Sequence, residues 1–358
     1  MKIQLLILAT STVCSAAVAR APPAKQTFEL IPFEKVKADA ERLGVFKPEP
    51  DHRTFRNNTN KAAGDVDSDF DAAAGTCVEP AIRVEWRDLS EDDRNAWINA
   101  VKCLMGQPSS GAYPGSQNRH EDFVYVHQAM TGQIHMVGQF LPWHRYYLHI
   151  YEQALKEECG YAPAAMPWWD ESKDSADFTA SPLFIPQAFG PIPKKGPNGE
   201  ETCLTSGFAI TIHIGPGGGL SDRCLARALD DTLVASCNDD FSNYCNSYTT
   251  YAEMEPCAER GPHAYCHNGI GGAMADVASS PGDPIFFMHH SYVDRQWRLW
   301  QNGDPARLSE VGGNTAGDGS GPPLTLDYVL TSMGLREDAT VADVMDIQGG
   351  YLCYQYSY

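Results

Sequence analysis

Six of the chain's eleven histidines fall into two triplets, and their spacing limits how the chain can fold. His127, His135 and His144 stand eight and nine residues apart in "FVYVHQAMTGQIHMVGQFLPWHRYYLHIYEQAL". His127 closes a helical pattern over roughly 119–131, His144 opens another over 143–158, and His135 lies on the link between them. Antiparallel helices joined by that link bring the three rings together. In "GPHAYCHNGIGG", His263 and His267 are four apart, so a helix over 262–274 sets both on one face. A further helix over 283–300, "DPIFFMHHSYVDRQW", delivers His290 or His289 to the same place.

Three neutral imidazoles suit copper or zinc. Two such sets on facing helix pairs can hold two metals within reach of one small molecule. The pair His263/His267 lacks the glutamate of the HExxH zinc-protease pattern, which removes that reading.

The rest of the chain supplies the setting. "MKIQLLILATSTVCSAAVAR" has a basic start, an apolar stretch and small residues ending at Ala19, and reads as a signal peptide over 1–19. Ten cysteines remain after it. An even number in an oxidising compartment points to disulfides whose pairing the sequence leaves open. No CxxC pair is present, which argues against a zinc ribbon. Secretion is therefore expected, with Asn57 in the sequon Asn57-Asn58-Thr59 as a glycosylation candidate. A formal charge of −19 argues against nucleic acid or an anionic membrane as partner.

Residues 20–75 are rich in Pro, Ala, Asp and Asn, with a short helical pattern around 33–43, and are read as a loosely packed extension. The compact domain is expected over 76–358. Ser90 with Asp93 starts a helix that Gly106 stops, with Trp97, Ile98, Val101 and Leu104 on one stripe. Residues 173–222 read as long loops and 223–234 as a helix. Strand signals are few and short, so the core is expected to be mainly helical.

With these residues in place, the chain resembles the coupled dinuclear copper family of tyrosinases, catechol oxidases and haemocyanins. "FLPWHR", with Glu152 eight residues after His144, resembles the copper-A signature, and "DPIFFMHHSYVDRQW" resembles the copper-B signature. The likeness runs from about Cys77 to Tyr356. It implies a mainly α fold: a four-helix bundle holding a dinuclear copper site, with long loops and a few short strands. It also implies that His127, His135 and His144 bind one copper ion and His263, His267 and His290 the other. Phe286 is implied to cover the metal, and Glu259 to orient a water. Asp294 is a candidate for fixing an imidazole, or a partner for Arg295 or Arg298.

Some positions depart from the family pattern. Gln133 stands where many fungal relatives carry a cysteine that crosslinks a copper-A histidine. Ala264 stands where tyrosinases that hydroxylate monophenols often have asparagine. "PWWDESKD" replaces a more usual "PYWDW" run. Tyr354-Gln355-Tyr356 resembles the Tyr-x-Tyr that closes the catalytic domain in relatives, and a C-terminal shielding domain is not expected.

The resemblance implies a secreted oxidase acting on a small phenolic substrate and O₂, taking o-diphenols or o-aminophenols to o-quinones with weak or no monophenol hydroxylation. Two alternatives stand beside it. One is a tailoring enzyme of secondary metabolism, with zinc in place of copper and no oxidation. The other is a haemocyanin-like O₂ carrier, against which the single-domain length weighs. The extension over 20–75 has few apolar side chains to offset the entropy of ordering. The chain is therefore expected to be active once loaded with copper, unless Phe33 or Phe46 docks over the pocket.

Overall fold

The structure, a computed structural model, describes residues 24–44, 77–216 and 219–358; the expected signal peptide over 1–19, Phe46 and Asn57 lie outside them. Its helices are α1 (Phe33–Leu43), α2 (Glu91–Gly106), α3 (Arg119–Ile134), α4 (Phe140–Cys159), α5 (Asp231–Val234), α6 (Asp239–Asn246), α7 (Tyr251–Ala258), α8 (Ala264–Ile270), α9 (Ile285–Asn302) and α10 (Val341–Met345). Short two-stranded pairings join β1 (Ala81–Arg83) to β8 (Tyr354–Tyr356), β2 (Thr202–Cys203) to β5 (Ala226–Arg227), β3 (Thr211–Ile214) to β4 (Leu220–Cys224), and β6 (Val329–Leu330) to β7 (Ala339–Thr340). The fold is mainly α, with α3, α4, α8 and α9 as the four histidine-bearing helices of the bundle.

Local chemistry sets the helix starts. Ser90 Oγ accepts the Asp93 amide at 3.1 Å, and Trp97, Ile98, Val101 and Leu104 are all buried. The Asn118 side chain accepts the Glu121 amide at 3.0 Å and caps α3. The α4–α9 seam is aromatic: Tyr151 and Phe287 stack with centroids 3.5 Å apart. Among the described residues no helix is long and apolar enough to cross a membrane.

Five disulfides account for the ten cysteines among the described residues: Cys77–Cys353, Cys103–Cys159, Cys203–Cys224, Cys237–Cys266 and Cys245–Cys257. The first lies beside the parallel β1–β8 pairing, so the two ends of this region close on one another.

Three expectations need correction. Residues 223–234 are not one helix. Cys224 ends β4 and is tied to Cys203, β5 pairs with β2, and only after Asp230 caps the amides of Thr232 and Leu233 does α5 begin. Strand pairing and a disulfide override the local pattern there. The expected loops over 173–222 hold the β3–β4 hairpin. Residues 24–44 are not loose. Val36 and Ala40 are buried, and Phe33 packs on Phe241 with centroids 4.9 Å apart, seating α1 on α6. Phe33 is thus an anchor in the core and not a plug over the histidines.

Candidate metal centre

The first histidine triplet is built at the α3–α4 corner. His127 sits on α3, His135 caps its end, and His144 lies one turn into α4. The reversal after His135 needs Met136 in the left-handed region, at φ 58°, an uncommon state for a residue with a Cβ. Its amide is captured by the Glu259 carboxylate, with Oε1 at 2.8 Å and Oε2 at 3.0 Å. The second triplet starts from a wide turn over Glu259–His263 that runs into α8; Gly271 and Gly272 then end the helix. A Cβ on Gly272 would run into the Ala226 carbonyl, so only glycine allows α8 to close against β5. From α9 come both His289 and His290.

The imidazoles are oriented by their outer nitrogens. Nδ1 of His127 meets the Ala278 carbonyl at 3.0 Å, that of His135 meets Thr131 at 3.2 Å, and that of His144 meets Phe140 at 2.8 Å. His263 Nδ1 meets the Glu259 carbonyl at 2.8 Å, and His267 Nδ1 meets Met274 at 2.7 Å. A carbonyl only accepts, so each Nδ1 carries the proton and each Nε2 presents a bare lone pair. Nε2 of His127, His135, His144, His263 and His289 is buried with no hydrogen-bond partner, and so is Nδ1 of His290. An unsatisfied buried acceptor costs about 1–3 kcal/mol. Several together are unreasonable for a core and suitable for metal ions. Nε2 of His267 and His290 lie 3.1 Å apart. Two nitrogens on one tetrahedral ion are separated by about 3.3 Å at ordinary metal–nitrogen lengths.

Burial pushes the His127 ring down to about 4. It holds His135, His144, His263, His267 and His290 well below the ordinary histidine value, with neighbouring imidazoles adding to the effect. Neutral rings are the form that binds a metal. The ligand atoms of His127, His135 and His144 lie within 4.8 Å of one another, as do those of His263, His267, His289 and His290. The two sets adjoin: His144 and His290 stack with centroids 4.5 Å apart. Phe286 lies 4.0 Å from His290 and 5.3 Å from His127, between the two sets.

Other expected residues fall elsewhere. Asp294 contacts no imidazole. It receives bonds from Arg145, from Tyr354 at 2.7 Å, from Tyr356 and, at 3.4 Å, from Arg83. Burial would raise its carboxyl, but Arg145 and Arg83 outweigh it and hold it below the ordinary value. It ties the bundle to the closing Tyr-x-Tyr; Arg295 and Arg298 find other partners. Glu259 is not an exposed carboxylate. It is buried against Glu255, and burial pushes it up to about 7 despite the Met136 amide. Ala264 lies beside it on the wall of a cavity of about 150 Å³ that also touches His135. A larger cavity of about 410 Å³, against His120 and His213, holds none of the clustered histidines.

Sequence reasoning missed Glu171, whose carboxyl bonds His289 Nδ1 at 2.7 Å. It also missed Phe28, which enters the site from the N-terminal segment. Glu171 stands 118 residues before His289, so nothing local in the sequence marked either residue.

A four-helix frame closing two adjacent sets of buried, outward-tethered imidazoles defines a dinuclear metal protein. The chain belongs to the tyrosinase family: residues 117–303 match the common central domain of tyrosinase. It is 33% identical over 321 residues to the tyrosinase-like protein phomQ1 of Diaporthe leptostromiformis, spanning 78% of each chain. It is 30% identical over 340 residues to the N-acetyl-6-hydroxytryptophan oxidase ivoB of Emericella nidulans, across 77% of this chain and 92% of that one. Among solved structures, a polyphenol oxidase variant from Thermothelomyces thermophila superposes with a TM-score of 0.72 at 27% identity, across 91% and 94% of the two chains. The family is one of dinuclear copper oxidoreductases acting on phenolic substrates with O₂, and the buried histidine sets fit two copper ions.

Proposed function

We propose that this chain is a secreted o-diphenol or o-aminophenol oxidase with weak or no monophenol hydroxylation. His127, His135 and His144 hold one copper ion, and His263, His267 and His290 hold the other. The observation that carries the reading is the set of bare, buried Nε2 atoms turned toward a shared space. The copper pair supplies the redox capacity that passes electrons from the phenol to O₂. Two o-diphenols, each losing two electrons and two protons, yield two o-quinones while one O₂ becomes two waters.

The chain's own residues set the conditions for that chemistry. Carbonyls behind the Nδ1 atoms of His127, His135, His144, His263 and His267 keep those five rings in one tautomer. Phe286, fully buried between the two sets, excludes water. Glu259, pushed up to about 7, is a weak base whose carboxylate is already engaged by Met136. Ala264 beside it offers no side-chain partner for a water. Both features favour substrates that arrive with two acidic hydroxyls over monophenols. Ten disulfide-bonded cysteines support the secreted setting.

Metal analysis of the purified protein, followed by matched catechol and phenol assays, tests the reading. Two coppers per chain and faster catechol turnover are expected. Ala264→Asn should raise the phenol-to-catechol ratio, and equal wild-type rates would contradict the assignment. A second reading, a tailoring oxidase of secondary metabolism, is favoured by the named activity of the Emericella nidulans relative on a hydroxylated indole. Turnover of 6-hydroxyindoles in preference to catechol would favour it.

A further inference from the structure

The cavity of about 410 Å³ lies at the start of α3, against the β3–β4 hairpin, and none of the clustered histidines lines it. Sites for small molecules typically enclose about 300–1,000 Å³. Met105 on the last turn of α2, Ile210 and Ile212 give this one apolar walls. His120, Glu121 and His213 bring polar groups to the same space.

One of those groups is held ready for a ligand. His213 Nδ1 meets Glu121 Oε1 at 2.8 Å, and the same oxygen accepts the His213 amide at 2.9 Å. Glu121 Oε2 accepts the Gln117 amide at 2.8 Å. A carboxylate only accepts, so Nδ1 carries the proton and Nε2 is left as an acceptor. The Glu121 side chain is 4% exposed and that of His213 28%, so the pair is anchored at its acidic end and open at its imidazole end. His120 has nothing to offer, because the Tyr151 hydroxyl and the Pro281 carbonyl engage both its nitrogens. The hairpin that carries His213 is pinned to α3 by Gln128, whose Nε2 donates to the Gly215 carbonyl at 2.8 Å. The acceptor is therefore fixed in place before any ligand arrives.

An acceptor nitrogen calls for a ligand that brings a donor. The Glu121 charge disfavours an anion beside it. Three N–H groups on the Glu121 oxygens, together with the positive end of α3, take away its pull on a cation. A neutral hydroxyl meets both conditions, and a phenol carries the strongest neutral hydroxyl donor of the common types on a flat apolar ring. The Met105 thioether and two isoleucines are suitable walls for such a ring. We propose that this cavity is a second binding site, which takes a neutral phenol with its hydroxyl donating to His213 Nε2 and its ring against Met105, Ile210 and Ile212. The site goes beyond the oxidase reading: it needs no metal, and its occupant is held without being converted.

The test uses the full copper-loaded chain, kept free of O₂, with 4-bromophenol as probe. Anomalous scattering from soaked crystals locates the bromine, and calorimetry measures binding to the wild type and to His213→Leu. Bromine in the cavity is expected, with the phenol oxygen within hydrogen-bond distance of His213 Nε2. Binding there should weaken at least tenfold in His213→Leu, and by as much when 4-bromoanisole, which lacks the donor, replaces the phenol. Copper content and catechol turnover should stay as in the wild type, and that result would hold even if catechol proved a poor substrate. Bromine found only among the clustered histidines would overturn the proposal, as would unchanged binding in His213→Leu. Loss of catechol turnover in step with the lost binding would place the phenol at the metal site and overturn it too. Should His213→Leu disturb the hairpin, Ile210→Trp fills the cavity and leaves the Glu121–His213 pair alone. It should abolish the same binding, and undiminished binding there would also overturn the proposal.

Discussion

The Glu259 carboxylate accepts the backbone amide of Met136, the residue that follows His135 and holds a left-handed conformation. A side chain from the second histidine set thereby shapes the turn that presents a ring of the first. The contact couples the two metal positions through protein alone, with Glu259 on the turn into α8 and Met136 on the turn out of α3.

Glu259→Ala is therefore expected to act on the first site, although Glu259 neighbours the second. Loss of the acceptor leaves the Met136 amide without its partner, at about 1–3 kcal/mol, and frees His135. Copper titration should show at least tenfold weaker binding of one ion. Glu259→Gln keeps an acceptor oxygen and should retain both ions. Equal loss in the two variants would mean that charge, not positioning, is what matters.

The double histidine on α9 has two unlike members. His290 Nε2 faces His267 Nε2 at 3.1 Å and its Nδ1 has no partner, whereas His289 Nδ1 is bound to the Glu171 carboxyl and its Nε2 is bare. His263→Ala and His290→Ala should each leave one metal per chain and remove nearly all turnover. His289→Ala should cost stability by opening a cavity while keeping two metals. Metal counts by mass spectrometry under native conditions separate these outcomes, and one metal in His289→Ala would exchange the assignments.

Acid should weaken the fold through buried histidine outside the metal site. His120 is held between the Tyr151 hydroxyl and the Pro281 carbonyl, and burial pushes it down to about 4. Below its unfolded value of about 6.5 the unfolded chain takes up a proton that the folded chain refuses. Stability should fall as pH drops from about 6.5 to about 4, by about 3 kcal/mol at most from this group. Comparing Tm across that range for the metal-free wild type and His120→Gln isolates the contribution. A flat difference between the two would show that His120 is not the sensor.

Asp294 should be among the costliest single positions outside the metal site. It is buried between Arg83 and Arg145, and removing one partner of a buried ion pair typically costs about 3–5 kcal/mol. Asp294→Ala should lower the urea midpoint strongly and loosen β8, because Tyr354 and Tyr356 lose their acceptor. Asp294→Asn should lose less. A near-neutral Asp294→Ala would mean that the aromatic stacking of Arg83 on Tyr354, 3.6 Å from the ring centroid, holds that end by itself.

What could be read from the sequence was local. Ser90 reveals a helix start because a capping side chain reaches only two or three residues ahead. The histidine spacing was legible for the same reason, since a helix returns to one face every three or four residues. Tertiary structure decided whatever depended on partners distant in the chain. Cys224 paired with Cys203 and drew 223–227 into strands where the local pattern favoured a helix. Asp294 was captured by Arg83, 211 residues away, and not by an imidazole. Glu259 turned inward to Met136 across 123 residues. Phe28 reached the histidines because Asn268, 240 residues on, bonds its main chain, while α1 found an apolar seat on α6. Composition marked that segment as polar and loosely patterned. One well-placed ring and a few main-chain bonds to a preformed rim were enough to order it, and neither leaves a periodic trace in the sequence.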